Sequence, residues 1–228
     1  KKLNMKNGLL TRRADWEMGE KRYSLTFERF VSNKDLHAVG QKIIIIPEQN
    51  VLVRIITGVN GRMTNSGSQH FSEGSKRFID KKYLQMAVRT TSSHIHMCFT
   101  MGMNIRVDGV KAEVTPNINM DRRRLMMELI IELKASQRLE IEKIIDVRTD
   151  RDLDSTGLPL DEMKQKALFC LKGNVSKGYS VLFTESADAL NEKLWSRTPI
   201  HIGSPDCFDQ LAVNFAQYHL HIMTPAHD

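Results

Sequence analysis

Ile43-Ile-Ile-Ile46, followed by Pro47 and then by Asn50-Val-Leu-Val-Arg-Ile-Ile-Thr57, is the stretch of this 228-residue chain that decides the predicted fold. Four successive β-branched residues favour extended backbone, and proline ends a strand because it has no N–H to donate. The second segment is also rich in valine and isoleucine, and it is closed by Gly58, a residue type common in turns. The two segments therefore predict two successive strands, the first of them buried.

Further strand signals lie on both sides of this stretch. Tyr23–Val31 alternates apolar and polar residues at period two, as in a half-buried strand. The segments 94–107 and 110–114 are separated by Asp108-Gly109, which predicts a hairpin turn. Leu125–Leu133 is apolar enough for either a strand or a helix, and its periodicity does not decide between them.

Helix signals are fewer. Ser75–Val88, Leu160–Leu171 and Ser186–Trp195 predict helices, whereas Tyr179–Phe183 predicts a strand and Phe208–His221 fits either element. The predicted fold class is therefore α+β, with a mostly antiparallel sheet packed with a few helices.

The first 22 residues are more basic than the rest of the chain. They predict a basic N-terminal arm over residues 1–22, followed by a single α+β domain over residues 23–228, a length that suits one domain. The arm contains Trp16 as its one large aromatic residue.

Positive charge is concentrated in the first hundred residues, which carry 17 lysines and arginines against 8 acidic residues, whereas the remainder carries 16 against 19. Such asymmetry predicts an anionic partner, and an ordinary solvated surface is the alternative. Sites for an anionic membrane or a ribonucleoprotein are expected at Lys1, Lys2, Lys6, Arg12, Arg13, Lys21, Arg22, Lys76, Arg77, Lys81, Lys82, Arg122, Arg123 and Arg124.

The chain has none of the common catalytic signatures. A phosphate-binding loop ending in Lys-Ser/Thr, a G-x-S-x-G elbow, an H-E-x-x-H helix and a CxxC pair are all missing from the sequence. A binding or assembly protein without a cofactor is therefore expected, not an enzyme.

Two histidine pairs form the sharpest metal candidate. His94, His96 and Cys98 would share one face of a strand, and His219 and His221 repeat the spacing near the end of the chain. Because no second ligand motif accompanies them, polar strand residues without a metal are the expected outcome.

An acidic segment resembles a calcium-binding loop in spacing. Asp150, Asp152 and Asp154 alternate, and Asp161 lies eleven residues beyond the first of them. Ser155 occupies the position that needs glycine for the turn, so a solvated acidic loop is expected and no metal site is predicted.

The three cysteines, Cys98, Cys170 and Cys207, are odd in number, lack motif spacing and have apolar neighbours. They predict buried free thiols in a reducing compartment. No signal peptide is apparent, and no apolar run is long enough to span a bilayer, so an intracellular soluble chain is expected.

Four segments together resemble a viral family. Tyr23–Asn33 is similar to the first core strand of rhabdovirus matrix proteins, and Leu125–Leu133 is similar to their long central strand. Met163–Phe169 and Lys177–Leu182 resemble their late helix and closing strand, and a basic N-terminal arm is also expected of that family. The length of the chain beyond these segments favours a divergent, plant-infecting lineage.

The resemblance implies a viral structural protein that self-associates, the arm of one subunit entering a pocket on its neighbour. Such a protein coats the nucleocapsid or ribonucleoprotein and bridges it to the inner, anionic face of the envelope membrane. Its place would be the matrix layer of the virion and, in the host cell, the cytoplasm, the inner membrane face or the nucleus. An RNA-coating protein of the movement type is the alternative, and a metal-dependent enzyme built on the histidine pairs is a third.

Overall fold

The computed structural model describes residues 1–203 and 206–224, which contain fourteen strands and three α-helices. In chain order the strands are β1 (Lys2–Asn4), β2 (Leu9–Met18), β3 (Lys21–Val31), β4 (Ala38–Pro47), β5 (Val51–Asn60), β6 (Thr64–Asn65), β7 (Ser68–Gln69), β8 (Ser75–Ile79), β9 (Tyr83–Arg89), β10 (His96–Val107), β11 (Val110–Lys111), β12 (Asn117–Asp121), β13 (Arg124–Leu133) and β14 (Leu139–Thr149). The helices are α1 (Leu160–Lys177), α2 (Tyr179–Leu190) and α3 (Cys207–Met223), and a π-helical turn (Asn191–Trp195) continues α2.

The strands form two main antiparallel sheets. The large sheet has the order β1-β2-β3-β4-β14-β10-β9-β8, and β11 pairs with β10. The small sheet has the order β12-β13-β5, and β6 and β7 make a separate hairpin. Although β4 and β5 follow each other in the chain, they lie in different sheets, so the connection at residues 48–50 crosses from one layer to the other.

The two sheets pack face to face around the main hydrophobic core. Leu129, Ile131 and Leu133 of the small sheet pack in one cluster with Leu139 and Ile141 of the large sheet. Each of these side chains is at least nine-tenths buried. Burying a leucine or isoleucine contributes about 1.5–3 kcal/mol, so this cluster is a major source of stability.

Helices cover the opposite face of the large sheet. Leu171 of α1 and Leu182 of α2 pack in one cluster with Phe30 and Ile144 of the sheet. The central strands are therefore buried on both faces, and the molecule has three layers: small sheet, large sheet and helices. Among the described residues, no helix combines the length and apolar character needed to cross a membrane.

The expected α+β class with a basic arm is wrong, because the architecture is a mostly antiparallel β-sandwich with few helices. The arm is part of the large sheet: β2 pairs with β3 from Leu10, opposite Arg29, to Met18, opposite Lys21. Backbone hydrogen bonds to a neighbouring strand hold this segment despite its charge. The predicted division into residues 1–22 and a domain of residues 23–228 stays a prediction.

The helix expected over Ser75–Val88 is also wrong. That segment is a hairpin of β8 and β9, and the N–H of Lys82 donates to the carbonyl oxygen of Ile79 across the turn. Asp80 and Lys81 both have a φ of 52°, the left-handed backbone of a tight hairpin turn. No glycine marks this turn, which is why the sequence pattern did not indicate it.

The strand expected over Tyr179–Phe183 belongs instead to α2. One turn of helix separates the two aromatic residues that bound the segment, and both rings contact Phe30, with centroids 5.2 and 5.5 Å away. Aromatic residues favour strands in general, but here packing against the sheet at helical spacing decides the conformation.

Two sequence predictions are confirmed, and one choice that the sequence left open is decided. The hairpin at Asp108-Gly109 joins β10 to β11, and both turn residues have positive φ values, 50° and 80°. Leu125–Leu133, for which the sequence left helix and strand open, lies in β13, whose odd-numbered residues are buried. Leu160–Leu171 is helical, as the first two-thirds of α1.

Candidate functional site

The densest group of charged side chains lies where β14 leads into the loop before α1. Arg148 is 2% exposed and donates from Nε and Nη2 to the two carboxylate oxygens of Asp146, at 3.1 and 3.2 Å. Its Nη1 donates to Oδ2 of Asp154 at 2.7 Å, and Lys166 of α1 reaches the same oxygen at 2.9 Å. One arginine and one lysine thus bind a strand, a loop and a helix together.

The two aspartates of this network lie in opposite electrostatic environments. Burial raises the pKa of Asp146 above its ordinary value, although Arg148 opposes the shift. Burial also acts to raise the pKa of Asp154, but hydrogen bonds from Lys166, Arg148 and Ser155 outweigh it, and the pKa is lowered. The exposed end of the network is therefore ionised over the ordinary pH range.

His37, Asp152 and Asp154 are the three groups within the described ranges whose ligand atoms lie close enough, within 4.8 Å, to hold a metal ion. Both ring nitrogens of His37 face these carboxylates, at 3.6 and 3.3 Å. Asp152, however, accepts hydrogen bonds from the N–H and hydroxyl of Thr149, and Asp154 is bound by Arg148. Because the carboxylates already face protein donors and cations, the arrangement fits an ion-pair network rather than a metal centre.

The acidic segment that resembles a calcium loop supplies this network. Asp150 accepts hydrogen bonds from the backbone and ring nitrogens of His96, both at 3.1 Å, instead of pointing toward its neighbours in the loop. Asp161 lies apart on α1, where it pairs with Lys164 at 3.0 Å. Asp150 and Asp161 therefore have partners of their own, whereas Asp152 and Asp154 share His37.

The structure does not bring the two histidine pairs together with the cysteine. His94 lies in a turn with φ 57°, outside the strand that would align it with His96. Cys98 is fully buried beneath α1, and burial raises the pKa of its thiol to about 11, which disfavours the thiolate that a metal requires. His219 and His221 lie on α3.

The expected anion-binding residues are dispersed over the molecule, and several are already in ion pairs. Lys76 pairs with Glu73, and the other carboxylate oxygen of Glu73 accepts from the backbone N–H of Arg123 at 2.8 Å. Glu73 therefore contacts one residue from each of two basic segments, 76–82 and 122–124. Arg22 pairs with Glu17 at 3.2 Å. Whether these clusters bind an anion stays a prediction.

One face of α3 is a functional candidate that was not predicted from the sequence. Tyr218 packs with Leu190 on the inner side of the helix, whereas Phe208, Leu211 and Phe215 on its outer side are 66, 52 and 54% exposed. Their spacing of three and four residues is the signal that could have revealed an amphipathic helix. Exposed apolar side chains at such spacing indicate a surface that another protein segment covers.

The chain matches a family of known proteins over most of its length. The family described as glycosyl hydrolase family 65, N-terminal domain, matches residues 1–193. Over 99% of its length the chain is 40% identical to a kojibiose phosphorylase from Halothermothrix orenii, and over 100% it is 28% identical to one from Escherichia coli. It is also 21% identical, over 99% of its length, to a nigerose phosphorylase from Lachnoclostridium phytofermentans.

The chain spans less than a third of the length of these relatives: 29, 29 and 31% respectively. Among solved structures, a candidate kojibiose phosphorylase from the human microbiome superposes with a TM-score of 0.83. The superposition covers 96% of this chain and 27% of that one, at 15% sequence identity, and it supports the sandwich fold alone.

These matches correct the expectations drawn from the viral resemblance. The relatives are disaccharide phosphorylases, so the resemblance to rhabdovirus matrix proteins and the exclusion of an enzyme are both wrong. The same matches overturn the expected matrix function, the alternative of RNA coating and the virion location. The expected partners, which were further copies of this chain, the nucleocapsid, the membrane and RNA, are contradicted by the same matches.

The resemblance failed because it rested on strand and helix character, which many β-rich proteins share. Lys177–Leu182, taken as a closing strand, lies in helices, and the supposed arm is strand β2. By contrast, the family match spans both sheets and the first two helices. The chain therefore belongs to the glycosyl hydrolase family 65 N-terminal domain family.

Proposed function

We propose that this chain serves as the N-terminal domain of a disaccharide phosphorylase, with kojibiose as the expected substrate of the whole enzyme. The observation that carries the proposal is the 40% identity to a kojibiose phosphorylase across 99% of the chain. A phosphorylase cleaves a glycosidic bond with inorganic phosphate in place of water, and it releases a glycosyl phosphate.

Within such an enzyme, the β-sandwich acts as a rigid support and α3 as its docking element. The relatives contain more than twice as much polypeptide outside the matched segment as inside it. The outer face of α3, formed by Phe208, Leu211 and Phe215, is apolar and without a partner in the part of the chain that the structure describes. Burying each such side chain contributes about 1.5–3 kcal/mol, so this face suits contact with the remaining polypeptide of the enzyme.

A chimera tests the proposal. This chain would replace the matched segment of the Halothermothrix orenii relative, and release of glycosyl phosphate from kojibiose would be measured with and without inorganic phosphate. We expect cleavage that depends on phosphate. A chimera that unfolds cooperatively yet shows no phosphate-dependent cleavage would contradict the proposal.

Substitutions on α3 test the docking role separately. We expect Phe215→Ser to lower the unfolding free energy of the chimera by about 2 kcal/mol while hardly changing that of the chain alone, where the side chain is already exposed. Phe169→Ser is the matched control, because Phe169 is 79% exposed and lies on α1, not on α3. Equal effects of the two substitutions in the chimera would refute docking through α3.

A further inference from the structure

We propose that the inner face of β2, β3 and β4 binds a phosphate group, carried either by inorganic phosphate or by a glycosyl phosphate. The proposal concerns a site on this chain alone and goes beyond the proposed function, because it does not depend on the phosphorylase reaction. It begins with strand register. Leu10 lies opposite Arg29, which in turn lies opposite Gln41. In the next row, Arg12 lies opposite Phe27, which lies opposite Ile43.

Residues directly opposite each other on neighbouring strands point to the same face of a sheet. On β3 and β4, the face in question also carries Leu25 and Ile45, which pack in the core between the two sheets. Toward β2 this core ends: within the described ranges, no residue before Phe30 is buried. The small sheet therefore leaves the outer part of this inner face open to solvent.

A hollow of about 260 Å³ lies on this open part of the face. Lys1 also lines the hollow. The hollow is formed by two rows of residues that lie opposite one another on β2, β3 and β4. One row is Leu10, Arg29 and Gln41, and the other is Arg12, Phe27 and Ile43.

Two arginines supply the charge of the hollow. Arg12 and Arg29 occupy diagonal positions on adjacent strands, about 7–8 Å apart at their backbones, so both guanidinium groups can reach one anion. Both residues are exposed, and neither makes an ion pair within residues 1–203 and 206–224. Guanidinium groups bind phosphate through paired, charge-assisted hydrogen bonds.

The charged residues that alternate with these rows do not neutralise the arginines. Glu28 and Lys42 border the hollow through the strands between the rows, but they belong to the opposite face of the sheet. On that face, burial and then the nearby carboxylate of Glu28 raise the pKa of Tyr179, and Lys42 pairs with Glu140 at 2.8 Å. The carboxylate nearest in sequence to Arg29 is thus directed toward the helices.

The rest of the hollow suits a sugar ring attached to the phosphate. Phe27 and Ile43 form an apolar floor, and the amide of Gln41 can donate to and accept from hydroxyl groups. A lone phosphate would use the arginines, whereas a glycosyl phosphate would use the floor and the amide as well. The two ligands share the same anionic group and differ in this additional contact.

Binding to the 228-residue chain would be measured by nuclear magnetic resonance titration at constant ionic strength, with inorganic phosphate, glucose 1-phosphate and glucose as separate probes. We expect saturable binding of the phosphate-bearing probes, with shifts centred on β2 and β3. Tighter binding of glucose 1-phosphate than of phosphate identifies a sugar phosphate as the ligand, and equal binding identifies phosphate alone. Absence of saturable binding by both would overturn the proposal.

Two variants and a matched control complete the test. Loss of a charge-assisted contact is expected to weaken binding about tenfold or more in Arg12→Gln and in Arg29→Gln. Arg13→Gln removes the same charge from the adjacent position of β2, on the opposite face, and should leave affinity unchanged. Because all three side chains are exposed, the variants should fold, as their thermal unfolding would show. An equal loss of affinity in Arg13→Gln would show that binding depends only on the overall positive charge of the chain, and it would refute the site.

Discussion

Nη1 of Arg148 lies 2.7 Å from Oδ2 of Asp154, which connects the end of β14 to the loop that precedes α1. The same arginine is 2% exposed and binds the fully buried carboxylate of Asp146 through two further hydrogen bonds. A buried arginine shared by two aspartates thus ties the end of a central strand to the loop that leads into the helical layer.

Removing the side-chain charge of Arg148 should strongly lower the unfolding free energy. Arg148→Met leaves the buried Asp146 without its cation, and such a loss typically costs 3–5 kcal/mol of unfolding free energy. Asp154→Asn, which alters the half-exposed partner of the same arginine, should cost about 1 kcal/mol or less. Urea unfolding of both variants measures the two losses of unfolding free energy. If Arg148→Met lost less than Asp154→Asn, this account of the network would be contradicted.

Glu140 should make stability depend on pH. Its carboxylate oxygens lie 2.8 Å from Nζ of Lys42 and 2.7 Å from Nε of Arg138. Burial acts to raise the pKa of Glu140, but hydrogen bonds from these two cations outweigh it, and the pKa is lowered. A carboxylate with a lowered pKa stabilises the folded state above its ordinary pKa, and this contribution is lost as the pH falls through the lowered value.

We therefore expect Glu140→Gln to reduce the unfolding free energy by about 1 kcal/mol near neutral pH. The reduction should be much smaller at a pH below the lowered pKa of Glu140, where the native carboxylate is also protonated. Glu132→Gln is the control, because Glu132 is exposed on the neighbouring sheet. Unfolding curves from pH 7 downward test this. A deficit in Glu140→Gln that stays constant with falling pH would show that the ion pairs do not contribute.

Two glycine substitutions should change stability in opposite directions. A Cβ atom on Gly40 would lie 2.3 Å from the ring of Phe30, so Gly40→Ala should destabilise the fold by about 1–3 kcal/mol. Gly173 lies within α1, and a Cβ atom there meets nothing within 4 Å. Gly173→Ala should stabilise by about 0.5–1 kcal/mol. Thermal unfolding of the two variants measures both, and a shift of the same sign would be inconsistent with this packing.

The cysteines should react with a thiol reagent at different rates. Cys207 is exposed and Cys170 is only partly buried, so the expectation that all three thiols are buried is wrong. Cys98 is fully buried, and burial raises the pKa of its thiol to about 11. We expect one rapid labelling event that Cys207→Ser abolishes, and labelling of Cys98 only after unfolding. Mass spectrometry of the labelled peptides tests the order, and rapid labelling of Cys98 in the folded chain would disprove its burial.

The sequence predicted those elements whose local chemistry leaves little choice. At Asp108-Gly109 the turn requires positive φ values, which glycine and aspartate tolerate. Ile43–Ile46 is β-branched and lies within β4. Where propensity was weak or misleading, the prediction failed: Tyr179–Phe183 became helical because its rings pack at helical spacing on Phe30.

By itself, then, the sequence determined the elements with strong local signals, such as Ile43–Ile46 and the Asp108-Gly109 turn, and it determined where charge is concentrated. Only the tertiary structure decided which side chains meet, because register assigns alternate residues to opposite faces of a sheet. Arg12 and Arg13 are equivalent by charge in the sequence, yet one borders a hollow with Arg29 and the other faces away from it. The charge network of Arg148 likewise depends on a loop returning to the end of β14, a contact that no local pattern encodes.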